Sequence, residues 1–206
     1  MANVQKHTNV TRLVMAAMLS AVAVVLQYLE IAIPIMPSFI KLDFSDIPEL
    51  IGAFVAGPVW GVAICLVKNL IHMLVSQSAG VGELSNFILA AAFAFTAGLI
   101  YRHRKTKRVA LAAGIVGALA MAAVSIPSNY YLIYPIYAEA FGGMDKIVGA
   151  YTLLLPAADT LMKALLIFNL PFTLVKGLIC VGVTMVIYKP LSNTFARMSA
   201  AIQKGN

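Results

Sequence analysis

Long apolar stretches alternate along the chain with short polar ones, and most of the stretches are long enough to cross a bilayer. A hydrocarbon core takes about 20 apolar residues in a helix. On that measure residues 12–29 form a first span, closed by Glu30, Pro34 and Pro37. Residues 46–56 form a second, too short to cross alone, and Gly57-Pro58 separates it from a third at 58–75. Further spans are expected at 83–101, 109–137 and 160–188. The stretch 153–170 is apolar too, but Pro156, Asp159, Lys163 and Pro171 punctuate it, so it reads as a helical approach to the last span near the outer surface. The pattern predicts an all-α membrane protein. It is a bundle of six transmembrane helices with a long first outer loop, forming a single membrane-embedded domain over residues 1–206.

Composition supports the lipid-facing reading. Of 206 residues 61% are hydrophobic and 11% charged, more apolar surface than a soluble domain of this size can bury. Charge adds direction. The net charge is +7, with RHRKTKR at 102–108 between the fourth and fifth spans and Lys6, Arg12, Lys189, Arg197 and Lys204 near the ends of the chain. The positive-inside rule places both termini and that loop in the cytoplasm. The segments at 30–45, 76–82 and 138–156 then face outward, and Glu30, Asp43, Glu83, Glu139 and Asp145 fall on that side. Positive residues gathered at span ends are orientation signals, so no nucleic-acid partner is expected. Residues 13–29 lead into EIAIPIMP rather than a small-residue cleavage site, which makes them a span and not a signal peptide. Cys65 and Cys180, in separate apolar runs, read as small buried hydrophobes.

Within the spans, polar residues crowd toward the outer half, as in the wall of an outward-facing pocket. The third span carries Lys68, Asn69 and His72, of which Lys68 and His72 read first as internal pairing. The fourth opens with Glu83, Ser85 and Asn86; Glu83 suits a first helical turn, a partner for Lys68 or a ligand contact. The fifth holds Ser125, Ser128 and Asn129, and the sixth Thr173 and Lys176, three apart on one face. Lys176 either snorkels outward or binds. Asp46 and Glu49 have the spacing of an N-cap and its N3 partner, and Tyr130, Tyr131, Tyr134, Tyr137 and Phe141 suggest an interfacial aromatic belt. In the first outer loop Ile40, Leu42 and Phe44 alternate with Lys41, Asp43 and Ser45, so an extended lid could turn its oily side inward.

The sequence has no phosphate-binding loop, no H-E-x-x-H and no G-x-S-x-G, and its three histidines are scattered. No catalytic residues, metal site or enzymatic activity are expected. A pocket without an engine points to a capture subunit that borrows one. Ala17 and Ala21, with Ala16 and Ser20 beside them, have the small-residue spacing that lets another helix approach closely.

Four segments carry a resemblance: IKLDFSDIPELIGAF at 40–54, GPVWGVAICLVKNLIHML at 57–74, GELSNF at 82–87 and PFTLVKGLI at 171–179. In order along essentially the whole chain, they resemble the riboflavin-specific S component of energy-coupling factor (ECF) transporters. The resemblance implies a six-helix bundle in the bacterial cytoplasmic membrane that captures riboflavin from outside. It implies as partners a membrane scaffold, the T component, and two cytoplasmic ATPases. Riboflavin would be cargo, with no cofactor. The alanines matching Ala17 and Ala21 would form part of the scaffold-docking face. The pocket would draw on Leu42 and Asp43 of the first outer loop, on Asn129, and on Thr173 and Lys176 of the last helix, with Glu83 and Asn86 added from the polar clustering. Thr173 stands where the family commonly has asparagine in P-F-N-x-x-K, and its hydroxyl also donates and accepts. The alternative is an S component for a different vitamin or small hydrophobic ligand.

Overall fold

The computed structural model describes the backbone of residues 2–204 and the side chains of 10–140 and 142–188. The side chains of Lys6, Phe141, Lys189, Arg197 and Lys204, invoked above for orientation and the aromatic belt, lie outside those described. Helix α1 runs Ala2–Tyr28, and a short antiparallel hairpin follows, β1 (Ile31–Ala32) with β2 (Lys41–Leu42), Ile31 opposite Leu42. Then come α2 (Asp46–Val55), α3 (Pro58–His72), α4 (Val81–Tyr101), α5 (Lys107–Ser128), α6 (Tyr134–Phe141), α7 (Met144–Leu154), α8 (Leu161–Ala164) and α9 (Leu170–Lys204).

Among the described residues five helical segments are long and apolar enough to cross a membrane: Val10–Tyr28, Pro58–Val75, Val81–Tyr101, Lys107–Ala140 and Leu161–Tyr188. The expected second span is the exception. At 10 residues α2 is about 15 Å long, half the thickness of a hydrocarbon core. All but its last residue are buried, because it packs against α1, α3, α4 and α9 rather than lipid. Gly57, at φ +112°, makes the turn out of it, and Pro58 starts α3 where a missing N–H costs nothing. Gly98 on α4 lets that corner close, since a Cβ there would stand 2.8 Å from the Pro58 Cα.

One boundary differs from the sequence pattern, the fifth span continuing past residue 137 to Phe141. The last span runs unbroken from Leu161, so part of the stretch 153–170 belongs to it. Both long helices contain a π turn, Asn129–Ile133 and Leu165–Asn169, and each turn ends two residues before a proline, Pro135 or Pro171. In each, the residue preceding the proline donates five residues back, Tyr134 to Asn129 and Leu170 to Leu165. A proline cannot donate to the residue four back, and the widened turn absorbs that mismatch without breaking the helix. The outer segment 138–156, expected as a loop, holds helix α7. Tyr134 and Tyr151 enter a buried apolar cluster, so Tyr134 is not a belt residue, whereas Tyr131 is 77% exposed.

On α1 the two alanines and the residues beside them face opposite ways. Ala16, Ser20, Ala23 and Gln27 are buried, while Ala17 and Ala21 are exposed along with Leu13, Val14, Met18 and Val25.

Candidate ligand site

Helix α2 brings Asp46 and Glu49 into the bundle without using them as caps. Ser45 precedes the helix, and no side-chain cap bond forms there. The capping interpretation gives way because both carboxylates are fully buried beside lysines, and burial in that setting calls for opposite charge. Lys68, on α3 and fully buried, lies 2.6 Å from Glu49 Oε1 and 3.6 Å from Asp46 Oδ1, and donates to Ser45 Oγ at 2.7 Å. Ser45 in turn donates from its backbone N–H to Asp43 Oδ1 at 2.9 Å and from its hydroxyl to the same oxygen. Lys176 on α9 donates to Asp43 Oδ2 at 2.9 Å and stands 3.2 Å from Asp46 Oδ2. It is 6% exposed and points inward, so it does not snorkel. Burial pushes the Asp43 carboxyl up, but the Lys176 and Lys68 ammoniums outweigh it and hold the group well below the usual carboxylate range.

The same contacts alter the expected lid in part: Ile40 lines the cavity, but Leu42 does not. In the segment that follows β2 the deeply buried side chains are Asp43 and Ser45, while Leu42 and Phe44 are half-buried. The lysines inside the bundle select the polar side of the alternation.

Above this cluster lies a cavity of about 760 Å³, roofed by the hairpin segment and walled by both long π-interrupted helices and the start of α4. Six of the seven residues expected in the pocket line it: Asp43, Glu83, Asn86, Asn129, Thr173 and Lys176. Leu42 does not; it is paired in the hairpin. Glu83 has its partners at the mouth. It sits 2.9 Å from His72 Nδ1 and accepts from Ser76 at 2.7 Å and Ser78 at 3.0 Å, not from Lys68. Asn129 Oδ1 accepts from Ser85 Oγ at 3.2 Å, which meets the amide's need for a partner.

Sequence reasoning missed Asn169, which lines the cavity and is nearly buried. Its signal was present: residues 169, 173 and 176 follow the four-then-three spacing of one helix face. Asn169 Oδ1 accepts from Tyr151 Oη at 2.7 Å, its Nδ2 donates to Tyr134 Oη at 2.8 Å, and the two tyrosine hydroxyls bond each other. Phe39 of the roof packs on this group, with ring centroids 5.9 Å from Tyr151 and 5.7 Å from Tyr137. Tyr151→Phe keeps the ring and strands the Asn169 carbonyl, so ligand-free thermal unfolding should report a loss of about 1–3 kcal/mol. An unchanged melting curve would show that water replaces the hydroxyl.

Long apolar helices enclosing a cavity of oily walls, converging amides, a hydroxyl and an ammonium define a multi-pass membrane protein built to hold a small solute. The chain belongs to the substrate-specific components of ECF transporters, whose family model matches residues 11–188. It is therefore a transporter component and not an enzyme. It is similar to the riboflavin transporter RibU of Staphylococcus aureus (strain TCH60), 33% identical over 187 residues, which are 91% of this chain and 93% of the relative. The riboflavin transporter FmnP of Bacillus subtilis (strain 168) is 30% identical over 185 residues, 87% and 91% of the two chains. A solved S component of a bacterial ECF transporter superposes with a TM-score of 0.71 at 31% identity, over 90% of this chain and 98% of that one.

Proposed function

We propose that this chain is the subunit that captures riboflavin, as cargo rather than cofactor, at the outer side of a bacterial cell membrane. It would pass the vitamin inward with an ECF scaffold and two cytoplasmic ATPases. The observation that carries the reading is the cavity. At about 760 Å³ it falls in the roughly 300–1,000 Å³ range of small-molecule sites. Its wall suits a flat, apolar-faced isoalloxazine with a polar edge and a neutral ribityl chain. Asn129, Thr173 and Lys176 are the groups we assign to the polar edge, with Asp43 holding Lys176 and Glu83 and Asn86 nearer the mouth. Leu42 contributes through the roof's hairpin. Curated relatives of this chain carry the name riboflavin transporter, which favours this vitamin over another small ligand.

The finer topology belongs to the same proposal. Counting α2 with the five long segments gives six helices in one membrane-embedded unit over residues 1–206. The exposed basic stretch 102–108 lies at the opposite end of α4 and α5 from the cavity, and the positive-inside rule sets that end, with both termini, in the cytoplasm.

Reconstituted alone in proteoliposomes, the chain should bind riboflavin without concentrating it, because it has no nucleotide site. Accumulation should appear only when scaffold and ATPases are added with ATP. Failure of the purified chain to bind or co-purify with flavin would overturn the ligand assignment, and ATP-driven uptake by the single chain would overturn the division of labour.

A further inference from the structure

Five charged side chains meet beneath the cavity: the acids Asp43, Asp46 and Glu49, and the bases Lys68 and Lys176. Three acids against two bases leave one negative charge unmatched, in a place where Asp46, Glu49 and Lys68 have no solvent exposure at all. Among the described residues no other charge is near enough to close the count. The remaining titratable groups facing the cluster are the thiols of Cys65 on α3 and Cys180 on α9. On α1 and α4, which also pack against α2, the charged residues among those described are Arg12, Glu83 and Arg102. Glu83 is engaged by His72, and both arginines are exposed.

A second observation locates the discrepancy. Neither Asp46 oxygen has a hydrogen-bond donor, its nearest ammoniums standing at 3.6 and 3.2 Å, whereas Glu49 meets Lys68 through Oε1 at 2.6 Å. Asp43, by contrast, has both oxygens bonded. Asp46 and Glu49 are three residues apart and so share one face of α2. A buried cluster whose carboxylates outnumber its ammoniums takes up a proton rather than carry the excess charge.

We propose that Asp46 and Glu49 together bind one proton, taken from solvent as a single new O–H bond. The cluster then holds two carboxylates and two ammoniums and is electroneutral. This goes beyond the transport reading and does not depend on it. It makes the floor of the cavity neutral, despite an excess of acids there.

The test is infrared spectroscopy of the full-length chain in lipid near neutral pH, following the deuterium-sensitive carbonyl stretch of a protonated carboxylic acid. The wild type should show the band. Glu49→Gln, Asp46→Asn and Asp43→Asn should each abolish it, because two acids then match two bases. Lys68→Met or Lys176→Met should roughly double it, since one base would then face three acids. A wild type without the band, or a band that survives in all three acid variants, overturns the proposal. Thermal melting provides a readout that needs only one variant to fold. The folded chain holds a proton that the unfolded chain releases, so wild-type stability should fall as pH rises through the site's titration. Glu49→Gln should remove that slope, and an identical slope in the two proteins overturns the assignment.

Discussion

Lys176→Met should weaken riboflavin binding ten- to a hundred-fold and also destabilise the ligand-free protein. The affinity loss follows from deleting a charge-assisted hydrogen bond, about 1.5–3 kcal/mol. From sequence alone, removing a charge from a membrane helix should leave the empty fold unharmed or improved. The structure reverses that expectation, because the ammonium is the partner of buried Asp43 and Asp46. Breaking such a pair from one side costs up to about 3–5 kcal/mol. The double variant Asp43→Asn/Lys176→Met removes one charge of each sign and should recover most of the stability but none of the affinity. Flavin titration beside ligand-free melting separates the two effects. Unchanged affinity would leave Lys176 a structural residue only, and an unchanged melt would mean that the pair adds nothing to the fold.

Ala17→Trp or Ala21→Trp should abolish uptake by the assembled transporter while leaving riboflavin binding within about two-fold of wild type. Both alanines are exposed on α1, away from its buried face, and neither lines the cavity. Close helix approach depends on small side chains, and an indole at that seam holds the partner off. Ala16→Trp is the contrasting control. That position is buried, so overpacking should cost stability and binding together. Should the Ala17 and Ala21 variants lose binding as well, the face belongs to the fold and not to docking.

The spans were legible because lipid demands apolar length, a property local to each stretch. Thr173 and Lys176 were legible for a similar reason, being polar where lipid-compatible residues are expected. What Lys176 pairs with was not legible, since Asp43 lies 133 residues away and only the tertiary fold joins them. The acids of α2 misled because their spacing fits a cap, and nothing local announces that Lys68 of the next helix folds back against them. Asn169 was overlooked for a different reason. The prolines and charges that punctuate 153–170 made that stretch read as an approach near the outer surface rather than as a wall of the pocket, whereas a π turn carries the helix through.

Those two π turns also bear on how such a pocket changes over evolutionary time. Each is one residue of slack in a long helix, set at the level of the cavity. Deleting a single codon in 129–133 together with replacement of Pro135, which the widened turn accommodates, would restore ordinary winding and swing the helix beyond it by about 100°. Tyr134 and Tyr137 would leave the cavity wall, while the rest of α5 kept its packing on α4 and α9. The same arithmetic applies to a deletion in 165–169, except that there the outer segment of the chain would turn and the Asn169–Thr173–Lys176 stripe would stay fixed. Loss of one codon at either place, with the neighbouring proline replaced, is therefore a short genetic path that re-tiles the binding surface without rebuilding the scaffold.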